Sequence, residues 1–301
     1  MYRTLVIARH TFRESIVQPI FSLLIGIGCA LMFIFAMLPF FTLGEDSTMF
    51  KSVALDIVLL LVLLTTLFAT SKSVYDEIED RTMLTLMSKP VRKWEVLLGK
   101  YLGIIVGALL AIVILGVVIS GAIYWRVPTD YQLQVNSLDD LVLKQIADYR
   151  LMHIMGMIPS LLLVWLQIAA LAAIGVALSV RFSLVVNLPA VILFYVAGNL
   201  TRFLGNMDAN SSVVTRGLAW LATTVVPFLQ VFDFRQHTVY REVRVPGTQF
   251  MDAVRHPNAV DLWTIWGYFG VASLYAVGFA IFALAAGLLL FENRELGGAE
   301  G

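Results

Sequence analysis

Residues 75–103 read "YDEIEDRTMLTLMSKPVRKWEVLLGKYLG" and hold 10 of the chain's 42 acidic and basic residues. Long apolar runs stand on both sides of this stretch. A connector between two membrane helices needs only a few turn residues. A dense charged segment with helical spacing therefore calls for a reason of its own.

The composition sets the class. Hydrophobic residues make up 59% of the 301-residue chain and charged residues 14%, and the mean hydropathy is +0.84. A soluble domain carries roughly 25% charged residues, so this chain lacks the polar surface to stay in water. Several runs of about 20 apolar residues point to helical membrane spans. The formal net charge of zero says little, because topology depends on where the charges fall. The single cysteine, Cys29, allows no internal disulfide and no cysteine metal cluster.

Residues 2–18 read as an amphipathic helix. Leu5, Ala8, Phe12 and Ile16 form one stripe, and Arg3, His10, Arg13 and Glu14 lie opposite. Such a helix lies in the headgroup layer. The apolar run from Ile20 to Phe41 is too long for a signal-peptide core and has no small-residue cleavage site, so it reads as the first span. Further spans are expected at about 52–72, 101–124, 156–180, 184–203 and 263–291. Ser137 and Asp140 fit a capping box that opens a short outer helix through Tyr149.

Residues 211–232, "SSVVTRGLAWLATTVVPFLQVF", admit two readings. They are apolar enough for a seventh span, yet Arg216, Thr223, Thr224 and Pro227 interrupt them. With six spans and an inside N-terminus, 11 Lys and Arg face the cytoplasm and 10 face outward. With seven spans, Arg235, Arg241, Arg244 and Arg255 move in and Arg294 moves out, giving 14 against 7. The count favours seven, but the rule weakens over long loops. A re-entrant pair of half-helices, shielded by protein, is the other solution.

Lys72, Arg81, Lys89, Arg92, Lys93 and Lys100, set against Lys51 alone in the preceding loop, place residues 73–100 in the cytoplasm. Asp76, Glu77, Glu79 and Asp80 cluster where they favour the positive end of a helix dipole, and Pro90 stops that helix. Ile78, Met83, Leu84, Leu86 and Met87 give it an adaptable apolar side. Such a helix suits docking onto another protein, although a solvated connector would need no more than its charge.

Glu79, Arg81 and Thr82, a leucine-rich turn, then Ser88, Pro90, Val91, Arg92, Glu95 and "LLGK" before a span resemble the permeases of type-2 ABC exporters (ABC-2 type), in particular the branch linked to multicopper enzyme maturation. "VVPFLQVFDFR" (225–235) resembles a segment before that family's last span, and "LLLFENREL" (288–296) its closing span and tail. The tail departs from the family in carrying Glu292, Asn293 and Arg294 where consecutive basic residues are common. The resemblance implies an all-α membrane protein with six transmembrane helices in one permease domain over 1–301. It implies an interfacial helix at 1–18, a cytoplasmic coupling loop at 73–100 between spans 2 and 3, and outer loops at 125–155 and 204–262. Residues 211–232 then become a re-entrant element before the last span.

By the same resemblance, the coupling helix would seat in a groove of a cytosolic ABC ATPase subunit. Glu77, Glu79, Arg81, Thr82, Met83, Leu86, Met87 and Pro90 would form that contact. A second permease copy or a paralogue would complete a path through the cytoplasmic membrane, with both chain ends in the cytoplasm. The substrate is not legible. A non-transporting scaffold that docks a cytosolic partner through residues 76–90 is the alternative.

The sequence contains no G-x-x-x-x-G-K-[ST] loop, so ATP hydrolysis is expected in a partner. No cofactor, metal or nucleic acid is called for: His10, His153, His237 and His256 are scattered and read as surface residues, and no basic tract appears. Within the spans Asp56 reads as a residue near the outer end, while Gln167, Asn187 and Asn199 read as interhelical bridges. Small residues paired at four-residue spacing, Gly103 with Gly107, Ala169 with Ala173 and Ala283 with Gly287, read as close helix contacts within one subunit.

In a Cys29→Ala background, Leu296→Cys is expected to react with an impermeant thiol reagent only after the membrane is opened. Labelling in intact cells would contradict six spans with both ends inside.

Overall fold

The computed structural model describes residues 2–38, 46–73, 92–130, 139–205, 226–252 and 255–292. These form eight α-helices: α1 (Tyr2–Val17), α2 (Pro19–Met37), α3 (Asp46–Ser71), α4 (Lys93–Asp130), α5 (Asp140–Ser179), α6 (Leu184–Gly205), the one-turn α7 (Arg235–Thr238) and α8 (Leu262–Glu292). The two-residue strands β1 (Val243–Arg244) and β2 (Val260–Asp261) pair in parallel, with Val243 opposite Val260 and Arg244 opposite Asp261. Six of the helices, α2 to α6 and α8, are long and apolar enough to cross a membrane. A chain this hydrophobic can cross a bilayer only as helices that satisfy their own backbone.

Local signals explain the boundaries. Pro19 opens α2 at the position where its missing N–H costs nothing. Arg92 precedes α4, and its backbone N–H donates to the Glu95 carboxylate at 2.9 Å, the returning half of a capping box. At α5 the N-cap is Asp139, whose carboxylate accepts from the Leu141 amide at 3.1 Å. The expected cap Ser137 lies outside the described residues. The separate outer helix expected through Tyr149 is instead the opening of α5, which runs unbroken into the fourth span past Pro159.

Side-chain ties show that the spans alternate in direction. At one end Lys93 at the start of α4 reaches the Phe291 carbonyl near the end of α8, and Asn187 near the start of α6 reaches Ser71 at the end of α3. At the other end Arg126 of α4 donates to the Phe35 and Ala36 carbonyls at the close of α2, at 3.0 and 3.2 Å. Those are orphan carbonyls of a helix terminus, and the guanidinium also meets the negative end of the dipole. We call the first end, where α1 and the close of α8 lie, the terminal end, and the second the distal end. Asn199 of α6 pairs with Gln230 at the distal end, so the chain leaves α6 and resumes on the same side before α8 returns. Six crossings account for this geometry. The arginines that favoured seven belong to a long distal segment, where the charge rule has least force. Residues 211–225 of the expected re-entrant element lie outside the described residues.

α5 is the central helix, buried along most of its length, whereas α2, α6 and α8 leave most of their surfaces facing outward. With 38 and 40 residues, α4 and α5 reach about 57 and 60 Å. The hydrocarbon core is about 30 Å thick, so both helices overrun it. The protruding start of α5 contributes Met152 to a small second core with Val243, Val245, Phe250 and Ile265 at the distal end.

α1 packs along α4 through a face other than its apolar stripe. Its buried residues are Thr4, Thr11 and Ser15, while Leu5 is 69% exposed. The reason is close approach: a Cβ added to Gly103 would lie 2.5 Å from the Ala8 carbonyl oxygen and 2.8 Å from the Thr11 Cβ. Small side chains let the two backbones meet, which attracts helices more in lipid than extra apolar area does. The apolar stripe is left to line an open groove of about 600 Å³ with Trp94, Leu98 and Leu102. In membrane that groove faces acyl chains and headgroups, as an interfacial helix requires. The paired small residues do serve packing within the subunit. Gly103 meets α1, and a Cβ on Gly287 would sit 2.8 Å from Ala177 of α5.

Gly103→Ala should therefore lower the thermal midpoint of the detergent-solubilised protein, by the equivalent of about 1–3 kcal/mol for overpacking. Gly26→Ala, where an added Cβ meets nothing within 4 Å, should not. Equal midpoints would contradict the α1–α4 contact.

Candidate functional site

At the distal end a polar cavity of about 170 Å³ opens between α3, α5, α6 and residues 229–235. Its cover is an irregular stretch of chain, and glycines let that stretch lie directly on the helices. A Cβ at Gly198 of α6 would fall 2.7 Å from the Pro227 carbonyl oxygen, and one at Gly156 of α5 would fall 2.8 Å from the Thr238 carbonyl oxygen. Two tyrosines of α8 hold the other side. Tyr268 donates to the Val231 carbonyl at 2.7 Å, and the Tyr275 hydroxyl accepts from the Phe228 amide at 2.7 Å. Tyr268 also stacks on Phe234 with ring centroids 4.0 Å apart. Backbone groups outside regular structure must find partners in protein when water is scarce, and these contacts supply them.

The charges are arranged around Arg235, in α7. Its Nη2 donates to the Asp56 carboxylate at 2.6 Å, and its Nε lies 3.6 Å from Asp233. Burial works against the guanidinium charge, but the hydrogen bond to Asp56 and the nearby carboxylates outweigh it and hold Arg235 above its ordinary range. Asp56 thus has a specific partner 179 residues away in sequence, which its position near the end of a span did not reveal. A carboxylate on a membrane helix faces protein or water rather than lipid. Asp56 is 61% exposed at the side chain, so this face of α3 is turned away from acyl chains.

A second polar group pins the cover above the cavity. Lys51, 2% exposed, lies 2.9 Å from Nδ1 of His153 and donates to the Val239 carbonyl at 3.0 Å. His153 is therefore no surface residue; it is 4% exposed and joins α5 to the start of α3. His237 stacks on Phe234, and His256 pairs with Glu242 at 2.8 Å. Ser160 bonds Thr238 at 2.6 Å beside the cavity.

The polar residues singled out within the spans divide by end. Asn187 bridges three helices, donating to Ser71 Oγ at 2.8 Å and to the Gly175 carbonyl at 3.1 Å. Asn199 donates to the Tyr195 carbonyl of its own helix and lines the cavity instead. Gln167 also lines it and bridges nothing among the described residues. Thr65 and Thr66 bond back to the Leu61 and Val62 carbonyls.

The eight residues expected to meet a partner, Glu77, Glu79, Arg81, Thr82, Met83, Leu86, Met87 and Pro90, all lie outside the described residues. The structure does place both ends of their segment. Lys100 of α4, 2% exposed, donates to the Ser73 carbonyl and to Ser73 Oγ, the latter at 3.1 Å. Lys93 donates to the Phe291 carbonyl at 2.9 Å, with its ammonium 5.0 Å from the centre of the Phe291 ring. The third span begins at Lys93 rather than near residue 101, so Lys93, Trp94, Glu95 and Lys100 belong to α4 and not to a loop. Segment 74–91 thus leaves and rejoins the bundle at one compact knot of α3, α4, α6 and α8. Lysines within a hydrophobic window gave the sequence signal for the knot, but their partners in the fold could not be read from it.

A search of curated proteins finds no match to the chain. The family model described as ABC-2 family transporter protein matches residues 5–296, from the second turn of α1 to beyond the end of α8. With six membrane-spanning helices, nearly the whole length matched, and polar groups reserved for the two ends of the bundle, the chain belongs to the ABC-2 transporter family and is a membrane-spanning permease component of an ABC transporter.

Proposed function

We propose that this chain is the permease subunit of an ATP-driven exporter in the cytoplasmic membrane, worked by a separate cytosolic ATPase. The terminal end faces the cytoplasm, and the helix at 76–90 receives the ATPase. Glu79, Arg81 and Thr82 anchor the loop, while Met83, Leu86 and Met87 enter the groove of the ATPase. A second permease copy or a paralogue faces this one across the path. The observation that carries this reading is the knot at the terminal end, seen in a member of a family whose energy comes from a partner.

The mechanism follows from where forces can go. ATP-driven closure of the partner displaces segment 74–91. Ser73 is tied to α4 through Lys100, and α4 is tied to α8 through Lys93, so one displacement acts on three spans together. Asn187 extends the tie to α6 and α5. Helices packed this closely shift as rigid bodies rather than bend. Motion at the terminal end is thereby delivered about 30 Å away, across the bilayer, to the distal cover held by Arg235 and Lys51.

The double variant Arg81→Glu, Met83→Glu, produced together with the ATPase, should insert normally and lose transport-coupled ATP hydrolysis by tenfold or more. Normal coupling in that variant would show that the helix at 76–90 is not the transmitting element.

A further inference from the structure

Of the polar side chains that line the distal cavity, several have no partner for the atoms they turn toward it. Gln167 lies in the middle of α5 and is only 6% exposed. It lines the cavity and makes no hydrogen bond among the described residues, so a buried amide with two donors and two acceptor lone pairs is left open. A native interior satisfies such a group with water or a ligand. Among the described residues the Tyr195 hydroxyl on the facing α6 likewise has no hydrogen-bond partner, and Asn199 uses only its Nδ2, on the Tyr195 carbonyl.

The formal charges at the lining are two carboxylates and one guanidinium: Asp56, Asp233 and Arg235. Arg235 engages one oxygen of each carboxylate, Asp56 Oδ1 at 2.6 Å and Asp233 Oδ1 at 3.6 Å. Among the described residues the second oxygen of each has no partner. The lining therefore keeps a net charge of minus one, on carboxylates that are each 61% exposed and accessible to a ligand. The open groups are chiefly acceptors: carboxylate oxygens, the Gln167 and Asn199 amide oxygens and the Tyr195 phenol oxygen. A group with one positive charge, several N–H donors and no acceptor complements these acceptors; a primary ammonium meets that description and is more compact than a guanidinium, which suits a cavity of about 170 Å³.

We propose that this cavity is a binding site for a primary ammonium group of the transported substrate. Resting on the permease reading, the assignment makes the substrate class an amine. The ammonium enters between α3 and α6 beside the Asp56–Arg235 pair. It donates to Asp56 and to the Gln167 amide oxygen, and the Tyr195 hydroxyl accepts a third hydrogen bond. A volume of about 170 Å³ admits the head group and one or two methylenes, so the remainder of the substrate stays outside the cavity. Methyl groups on the nitrogen remove the donors and leave the acceptors open again.

The test uses the purified full chain in phosphatidylcholine nanodiscs, without ATPase or ATP, and ethylammonium chloride as the probe followed by calorimetry. Saturable binding is expected, on the order of millimolar for so few atoms. Gln167→Leu, Tyr195→Phe and Asp56→Asn should each weaken it by tenfold or more. Asp261→Asn, in the exposed pair with Arg244, should leave it unchanged. Competition from phosphatidylethanolamine mixed into the nanodiscs would assign the ammonium to a lipid head group, and its absence to a soluble amine. Equal binding of tetramethylammonium, preferred binding of methyl phosphate, or ethylammonium binding that survives Gln167→Leu would each overturn the assignment. Because no ATPase takes part, a negative result here leaves the docking reading standing, and loss of the docking reading leaves this binding measurable.

Discussion

A buried lysine amine must find oxygen acceptors, and in a membrane bundle it must find them within the protein. Lys100, next to the crowded Gly99 and nearly inaccessible, finds them on Ser73. This fixes the last turn of α3 against the first turns of α4, and thereby fixes where segment 74–91 departs. The return point is held by Arg92 and Glu95, and Lys93 carries the tie on to the close of α8. Apolar packing alone would not impose this register, because lipid tails solvate leucine as well as neighbouring helices do. Hydrogen-bonded cations at the ends of the spans decide which helices move together.

The two ends of the bundle solve different problems with the same means. At the terminal end, short polar ties join helix termini and fix the points where segment 74–91 begins and ends. At the distal end, Lys51, Arg235 and the tyrosines of α8 hold an irregular stretch of chain over a polar cavity. Glycines at 156 and 198 let that stretch sit against α5 and α6 without a clash. Between the ends lies α5, buried and rich in alanine, which packs against α3, α4, α6 and α8. On the proposed reading, the terminal end accepts force, the distal end meets cargo, and the buried middle joins them.

Much of the fold was legible because membrane spans announce themselves by length and hydropathy. α2, α3, α6 and α8 fell close to their expected places. The errors have physical causes. α4 and α5 overrun the bilayer, so hydropathy marked only the middle of α4 and the C-terminal part of α5, and Asp139 rather than Ser137 opens α5. The apolar stripe of α1 stays exposed, as an interfacial helix requires, and its protein contact is made by the small Thr4, Thr11 and Ser15, which the stripe could not reveal. His153 was misjudged as a surface residue, and the Arg235 partner of Asp56 was not foreseen, because Lys51 and Arg235 are 102 and 179 residues away from them. Of the site, Gln167, Asn199 and Asp56 were visible as polar residues out of place in a span. Their convergence on one cavity depends on the fold of residues 227–239, for which the sequence offers no period.

The central claim is that residues 76–90 seat in an ATPase subunit. The most direct measurement is gentle extraction of the tagged chain from its native membrane, with identification of what accompanies it, for the native protein and for a variant with Glu79→Lys and Arg81→Glu. The account predicts an ABC ATPase with the native chain and its loss from the variant, with the variant still in the membrane. An ATPase retained by the variant, or none recovered with the native chain in the presence of ATP and crosslinker, would contradict it.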